Sequence, residues 1–266
     1  MGRDHDMFDL TGRVALVAGA ASGLGRASAL ALADFGAFVV AADRDPAGVE
    51  ALVRELKAGG TQGQAVGLDI RDRDQVRRTI AGIVEHHGRL DVAVTTPSVN
   101  IRKRLLDYAD DELDRVLTLN LKGTFNVLVE AGRVMADRGQ GSLIAFASIR
   151  AQVVEPGQGI YAATKAGTVQ LIKTLAAELG PRGVRANAVA PGVIDTPLTQ
   201  PIKNHPDWYG AYAAKTALGR WGTPDEVAAA VVFLAADASR YVTGTVLTVD
   251  GGWTAIDGRY EPPLHL

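Results

Sequence analysis

Tyr161 and Lys165 lie four residues apart in Tyr161-Ala-Ala-Thr-Lys165, a spacing that puts both side chains on one face of a helix. An ammonium beside a phenol favours the phenolate, so the phenol pKa is expected to fall from about 10 toward neutrality. At that value a tyrosine can take or give a proton in general acid–base catalysis. Composition alone produces such a pair about one time in six. It therefore needs a cofactor, a group that polarises oxygen, and a pocket. A second chemical set stands earlier, where Gly19-Ala-Ala-Ser22-Gly23-Leu24-Gly25 follows an apolar run and opens a helical pattern. Glycines permit the tight turn and let the backbone approach a pyrophosphate, whose charge is favoured by free N–H groups and the helix dipole. Asp43 ends the next apolar run, 18 residues past Gly25. A carboxylate there would accept hydrogen bonds from ribose hydroxyls and repel a 2′-phosphate, which favours NAD over NADP. Arg44 beside it could instead turn toward a phosphate. His86 and His87 are adjacent on a helix and point apart, and no other cluster has ligand spacing, so no metal is expected.

These residues need elements to position them. Apolar, partly β-branched runs at 13–18, 38–42, 64–68, 90–94, 142–147, 184–190 and 245–249 read as strands. Helical patterns fall between them, including a long one over 110–137 and one over 159–179. Thr223-Pro-Asp-Glu226 reads as a helix start with threonine as N-cap, proline at N1 and glutamate at N3. Strict alternation of nearly continuous apolar strands with helices predicts an α/β fold: a doubly wound parallel sheet of about seven strands, helices on both faces, of Rossmann type. Ligands in such sheets bind beyond the carboxyl ends of the strands, where Gly19, Asp43, Asp69, Thr95, Ser148 and Pro191 stand.

The chain of 266 residues carries no linker or repeat and reads as one dinucleotide-binding and catalytic domain. Residues 1–9 are expected to be flexible, 195–221 to form a substrate lid and 253–266 a C-terminal tail. A net charge of −2 leaves no electrostatic footprint for nucleic acid or anionic lipid. The longest stretch without a charged residue or histidine is Val14 to Gly25, well short of the ~20 residues of a membrane span. Without cysteines or an apolar leader, the chain is expected to be cytoplasmic.

In correct order the chain carries Ala18-Gly-Ala-Ala-Ser-Gly-Leu-Gly25, Asp69-Ile70, Asn120-Leu-Lys-Gly123, Ser148, Tyr161-Ala-Ala-Thr-Lys165, Pro191-Gly-Val-Ile-Asp-Thr196 and Asp250-Gly-Gly252. This set resembles the short-chain dehydrogenase/reductase family over nearly the whole chain. The resemblance implies a homotetramer or dimer that moves hydride between NAD(P) and an alcohol or ketone. It implies that Tyr161 exchanges the proton with the substrate oxygen and that Lys165 lowers its pKa and holds the nicotinamide ribose. Ser148 would donate to the substrate oxygen, and Asn120 would help hold a water that relays the proton outward. Around the cofactor it implies Gly19, Ser22, Gly23, Leu24 and Gly25 at the phosphates, Asp43 and Arg44 at the ribose, Asp69 and Ile70 at the adenine, Thr96 beside it, and Ile194 and Thr196 at the nicotinamide. Two departures stand out. Ala18 replaces the usual threonine, and Thr95-Thr96-Pro97-Ser98 replaces Asn-Asn-Ala-Gly, which puts the loop path and the cofactor affinity in question.

The substrate pocket is expected from 98–104, 150–158 and 195–221. Its first two stretches are polar, with Asn100, Arg102, Arg104, Arg150, Gln152, Glu155 and Gln158. Groups that read hydroxyls, with arginine for a carboxylate, suit a sugar, sugar acid or polyol better than a steroid or acyl chain. Arg102, Arg150, Gln152, Gln158 and Trp208 are the candidate substrate residues. The leading reading is an NAD-dependent dehydrogenase of a secondary alcohol. An NADP-dependent ketone reductase and a dinucleotide-binding regulator without turnover stay open beside it.

Overall fold

The computed structural model describes residues 7–256. Strands β1 (Val14–Ala18), β2 (Phe38–Asp43), β3 (Gly63–Gly67), β4 (Val92–Thr95), β5 (Gly141–Phe146), β6 (Val184–Pro191) and β7 (Val246–Val249) form one sheet. All its pairings are parallel. The order is β3-β2-β1-β4-β5-β6-β7, so the winding reverses between β1 and β4. That reversal opens a crevice at the carboxyl edge, where the glycine loop follows β1 and Thr95 ends β4.

The helices are α1 (Gly23–Asp34), α2 (Pro46–Ala58), α3 (Arg73–His87), α4 (Asp110–Leu117), α5 (Thr124–Arg138), α6 (Gly159–Leu179), α7 (Gln200–Lys203), α8 (Pro206–Lys215) and α9 (Pro224–Ala235). Successive strand residues face opposite ways, and the core divides accordingly. Leu16, Ala18 and Val40 pack with Ile80 of α3, Leu128 and Met135 of α5 and Ile172 of α6. Ala15, Val17 and Val39 pack on the other face with Leu32 of α1, Leu52 of α2 and Val231 of α9. Both faces of the sheet are covered, which is why most of the strands read as nearly continuous apolar runs. Thr223 caps α9 as expected, its hydroxyl accepting from the Glu226 N–H while the Glu226 carboxylate accepts from the Thr223 N–H. A small third core joins the 195–221 segment to the body, with Ile149, Val193, Ile202, Tyr212, Trp221 and Trp253 buried together.

Three expectations need correction. The long helix over 110–137 is interrupted: α4 widens into a π-helical turn, Thr118–Gly123, before α5 resumes. The turn takes one more residue per hydrogen-bonded ring than an α-helix, and Asn120 within it is fully buried. Residues 7–9 are held rather than free: the Met7 carbonyl accepts from the Ala238 N–H, and the Phe8 ring lies 6.5 Å from those of Phe35 and Phe233. Trp253, read as the start of a tail, is 8% exposed inside the third core; residues 1–6 and 257–266 lie outside the described residues. Among those described, no helix is long and apolar enough to cross a membrane.

Candidate active site

The glycine loop is shaped by backbone that other residues would not adopt. Gly19 and Gly23 have φ of +90° and +52°, in the region open to glycine. A Cβ on Gly25 would collide with the Gly19 carbonyl, and one on Gly19 with the Thr96 hydroxyl and with Pro97 Cδ at 2.9 Å. Ser22 precedes α1 without capping it, so the first N–H groups of the helix are left for a ligand. They face a cleft lined by Gly19, Ser22, Gly23, Leu24, Gly25, Asp43, Arg44, Asp69, Ile70 and Thr96. A free helix N-terminus above a loop with no room for side chains fits a pyrophosphate.

Asp43 is held from two loops, its carboxylate accepting from the Ala21 N–H of the glycine loop (3.2 Å) and from the Asp45 N–H of its own loop (3.1 Å). Asp69 is engaged by the Arg71 guanidinium at 2.6 Å, and that hydrogen bond draws its carboxyl below the ordinary value. Ile70 is buried against Gly123, and its carbonyl accepts from Asn126 at 2.9 Å.

A second cleft adjoins the first. Leu24, Thr96, Ser98, Thr196 and Leu198 line both, so one elongated ligand can pass from one to the other. Ser148, Tyr161 and Lys165 converge there, with Ile194 at its edge. Ser148 stands just past β5, where its hydroxyl accepts from the Arg150 N–H at 3.1 Å. Lys165 is 3% exposed. Its ammonium donates to the Phe146 carbonyl at 2.8 Å and sits 5.5 Å from the Tyr161 ring centre. Burial pulls the lysine pKa down to about 8. The tyrosine departs from expectation: burial pushes its pKa up, against the opposing Ser148 hydroxyl, the Arg150 and Arg102 charges and the Ser98 hydroxyl. Loss of water outweighs these neighbours, and the lysine is turned toward a carbonyl rather than the phenol.

Asn120 is buried behind the loop after β4 that lines this cleft. Its side-chain oxygen accepts from the Val99 N–H at 2.8 Å, and its amide donates to the Val99 carbonyl at 2.9 Å and to Thr164 at 3.3 Å. The amide thereby clamps the loop after β4. Thr96 ties the same loop to the glycines, donating to the carbonyls of Ala18 (3.1 Å) and Gly19 (3.3 Å).

Of the substrate candidates, Arg102, Arg150 and Gln158 line the second cleft and Gln152 and Trp208 do not. Gln152 is exposed. Trp208 instead lies under Arg102, whose guanidinium is 4.8 Å from its ring centre. Asn100 joins the lining, as do Tyr212 and Leu198 from the 195–221 segment. Tyr212 and Leu198 were not singled out by the sequence reading; the aromatic density of 208–221 was the available signal for Tyr212. Among the described residues, no group of three or more His, Cys, Asp or Glu is placed to hold a metal.

A family model described as Enoyl-(Acyl carrier protein) reductase matches residues 19–254. The 3-oxoacyl-(acyl-carrier-protein) reductase FabG of Thermotoga maritima is 39% identical over 248 residues, 91% of this chain and 98% of the relative. D-threitol dehydrogenase of Mycolicibacterium smegmatis is 38% identical over 253 residues, 93% and 95% of the two chains. The crystal structure of a gluconate 5-dehydrogenase from Burkholderia cenocepacia in complex with NADP and tartrate matches with a TM-score of 0.92 at 33% identity, covering 95% of this chain and 99% of that one. With its glycine loop, its tyrosine–lysine pair and this likeness over nearly its whole length, the chain belongs to the short-chain dehydrogenase/reductase family, NAD(P)-dependent oxidoreductases that act on CH–OH groups.

Proposed function

We propose that the protein interconverts a secondary alcohol and a ketone on a sugar, sugar acid or polyol, with NAD as the partner. The observation that carries this reading is the second cleft, where Ser148 and Tyr161 face a polar wall of Asn100, Arg102, Arg150 and Gln158. Such a wall reads hydroxyl groups by hydrogen bonds and would leave an acyl chain facing unpaired donors. The relatives named for threitol and gluconate support it; the FabG relative and the apolar Val193, Leu198 and Ile202 on the lid side favour an acyl substrate as the second reading.

The bound dinucleotide would accept or give the hydride. The chain's own groups do the rest. Ser148 donates to the substrate oxygen and stabilises charge there as it develops. Tyr161 takes the alcohol proton, or returns it to the ketone, at its phenolic oxygen. Lys165 supplies positive charge under the tyrosine and would hold the ribose. Asn120 fixes Val99 and so the loop bearing Ser98 and Asn100. Preference for NAD rests on Asp43, whose carboxylate lines the first cleft and would repel a 2′-phosphate. The structure with NADP is the main support for the contrary preference, with Arg44 as the residue that would meet the phosphate. The same reading takes the chain as a single catalytic domain with 195–221 as its lid, acting as a homo-oligomer in the cytoplasm.

The test mixes purified protein with NAD or NADP and a panel of sugars, sugar acids, polyols and a 3-oxoacyl thioester, following reduced-cofactor absorbance. Turnover on the thioester alone would overturn the substrate reading, and turnover with NADP alone would overturn the Asp43 argument. Tyr161→Phe should lower kcat by about 10²–10⁴-fold. Dinucleotide binding without turnover on any of these compounds would favour the regulator.

A further inference from the structure

Glu155 does not line the second cleft, yet each of the four side chains that donate to it does. Its carboxylate accepts from Arg102 Nη1 (3.1 Å), Arg150 Nη2 (2.5 Å), Gln158 Nε2 (2.5 Å) and Tyr212 Oη (2.6 Å). These donors come from three separate segments: the loop after β4, the segment between β5 and α6, and helix α8 of the lid. Gln158 in turn accepts from Asn100 at 2.8 Å. One carboxylate thus sets the register of most of the polar wall.

The charges of that wall do not balance. Two guanidiniums meet one carboxylate, and the Arg150 side chain is only 8% exposed. Each arginine spends a single N–H on Glu155, out of the five such donors in the group. Behind them, Trp208 backs Arg102 at 4.8 Å and Trp253 backs Arg150 at 5.6 Å. The rings hold the guanidinium planes and cannot accept their edge donors in the way a carboxylate does. A half-buried excess of positive charge with unspent donors is matched by an anion, and its forked geometry suits a carboxylate.

We propose that Glu155 is the positioning residue of a carboxylate subsite: it holds Arg102 and Arg150 to receive the acid group of a hydroxy-acid substrate, and through Tyr212 it ties that subsite to the lid. This rests on the oxidoreductase reading above and narrows its substrates to acids. Glu155 touches neither the substrate nor the reacting oxygen; it acts through the arginines. Tyr212 makes the subsite sensitive to lid position, since a lid held away from Glu155 would free one of the four donors.

The experiment measures binding, so it does not depend on having found the best substrate. Calorimetric titration of the protein saturated with NAD uses two matched pairs, D-gluconate against D-glucitol and D-threonate against D-threitol. The wild-type protein should bind the acid of at least one pair about tenfold or more tightly than its polyol, and the gap should shrink with added salt. Glu155→Gln keeps the size of the side chain but can accept from fewer donors. It should weaken acid binding by about tenfold and polyol binding by a clearly smaller factor, since the same wall meets the hydroxyls, while NAD affinity stays within about twofold. Tyr212→Phe removes one donor without touching a charge, and should weaken the acid by a smaller factor. Acid binding that is unchanged or tighter in Glu155→Gln would show that the carboxylate merely offsets charge, which overturns the positioning role. Equal binding of acid and polyol in the wild type overturns the subsite but leaves the polyhydroxylated-substrate reading standing. Binding of neither, with reduction of a 3-oxoacyl thioester, overturns both.

Discussion

Lys165 is a charge the fold holds at a cost, and the cost has a pH signature. The side chain is 3% exposed, its ammonium donates to the Phe146 carbonyl at 2.8 Å, and burial draws its pKa from 10.5 to about 8. The folded pKa is thus depressed below the unfolded one. Between the two values the unfolded chain binds a proton that the folded chain does not, so stability rises with pH across that window; below it the penalty is present in full. At about 1.4 kcal/mol per tenfold change in proton affinity, the full penalty is about 3 kcal/mol. Most of it, about 2 kcal/mol, should be relieved between about pH 7 and pH 10. Lys165→Met has no charge to relieve; it loses only the hydrogen bond to Phe146, worth about 1 kcal/mol. The variant should therefore be the more stable protein near neutrality, and its advantage over the wild type should shrink by about 2 kcal/mol by about pH 10. Tyr161 does not interfere below that point: its folded pKa is raised, so its effect on stability is a loss that begins only where the unfolded phenol ionises. Urea unfolding of both proteins at one concentration, followed by far-UV circular dichroism across this range, measures the gap directly. Parallel curves, or a gap that widens with pH, would refute the reasoning. On the proposed mechanism the variant should also lose turnover, because the charge that weakens the fold is the one beside Tyr161, the proposed proton carrier.

Three further outcomes follow from the geometry. Gly25→Ala would put a methyl group into the Gly19 carbonyl; the loop must shift, and NADH affinity, read by fluorescence titration, should fall about tenfold or more. Asp43→Ser removes a carboxylate from the lining of the first cleft, and on the proposed placement of the ribose there the ratio of kcat/KM with NADP to that with NAD should rise about tenfold or more; an unchanged ratio would assign discrimination elsewhere. Glu130 is buried, and although burial raises its carboxyl pKa, the hydrogen bonds from Arg73 (2.8 Å) and Arg77 (3.3 Å) prevail and lower it. A depressed folded pKa means stability present above the unfolded value and lost as pH falls through the folded one. Glu130→Gln should therefore cost about 1 kcal/mol at neutral pH and show a flatter acid unfolding profile than the wild type.

What was legible in the chain was what backbone and period demand. A strand covered on both faces must be largely apolar, so β1, β2 and β4–β6 are legible, even with Ser142 in β5 and Arg185 and Asn187 in β6. β3, at the sheet edge with no buried residue in Gly63–Gly67, was the weakest of the runs. The glycine loop was legible because the Gly19 carbonyl and the Thr96 hydroxyl leave no room for a Cβ on their neighbours. The π-helical turn was not, since a single widened turn leaves the apolar spacing of 110–137 intact. Its only trace is a polar Asn120 at a position that proves fully buried. Trp208 and Tyr212 are four apart on α8 and share a face, so spacing could not decide which reaches the cleft. The choice is made by Trp221 and Trp253, which pack against Tyr212 with ring centres at 5.8 and 5.2 Å. Gln152 and Gln158 lie in irregular chain, where no period separates an exposed glutamine from a buried one.

The altered loop after β4 shows how a departure from a family pattern can be absorbed. The asparagines usual there tie strands together by side-chain amides. Here the Thr96 N–H and hydroxyl both reach the Ala18 carbonyl, at 3.0 and 3.1 Å, and the hydroxyl also lies 3.3 Å from that of Gly19. The tie between β4 and the glycine loop is kept by a shorter side chain. Pro97 cannot donate an N–H, but it occupies the space over Gly19 that a Cβ would need, so it stiffens the contact that makes that glycine obligatory. Past it, the path of the chain is set from outside: Asn120 grips both the N–H and the carbonyl of Val99. The residues on either side, Ser98 and Asn100, carry buried polar oxygens without a hydrogen-bond partner in the protein, and both line the second cleft. A buried oxygen left unpaired is costly unless a ligand or water meets it. The serine that stands where glycine is usual thus lies at the junction of the two clefts, next to the Val99 that the π-helical turn holds through Asn120.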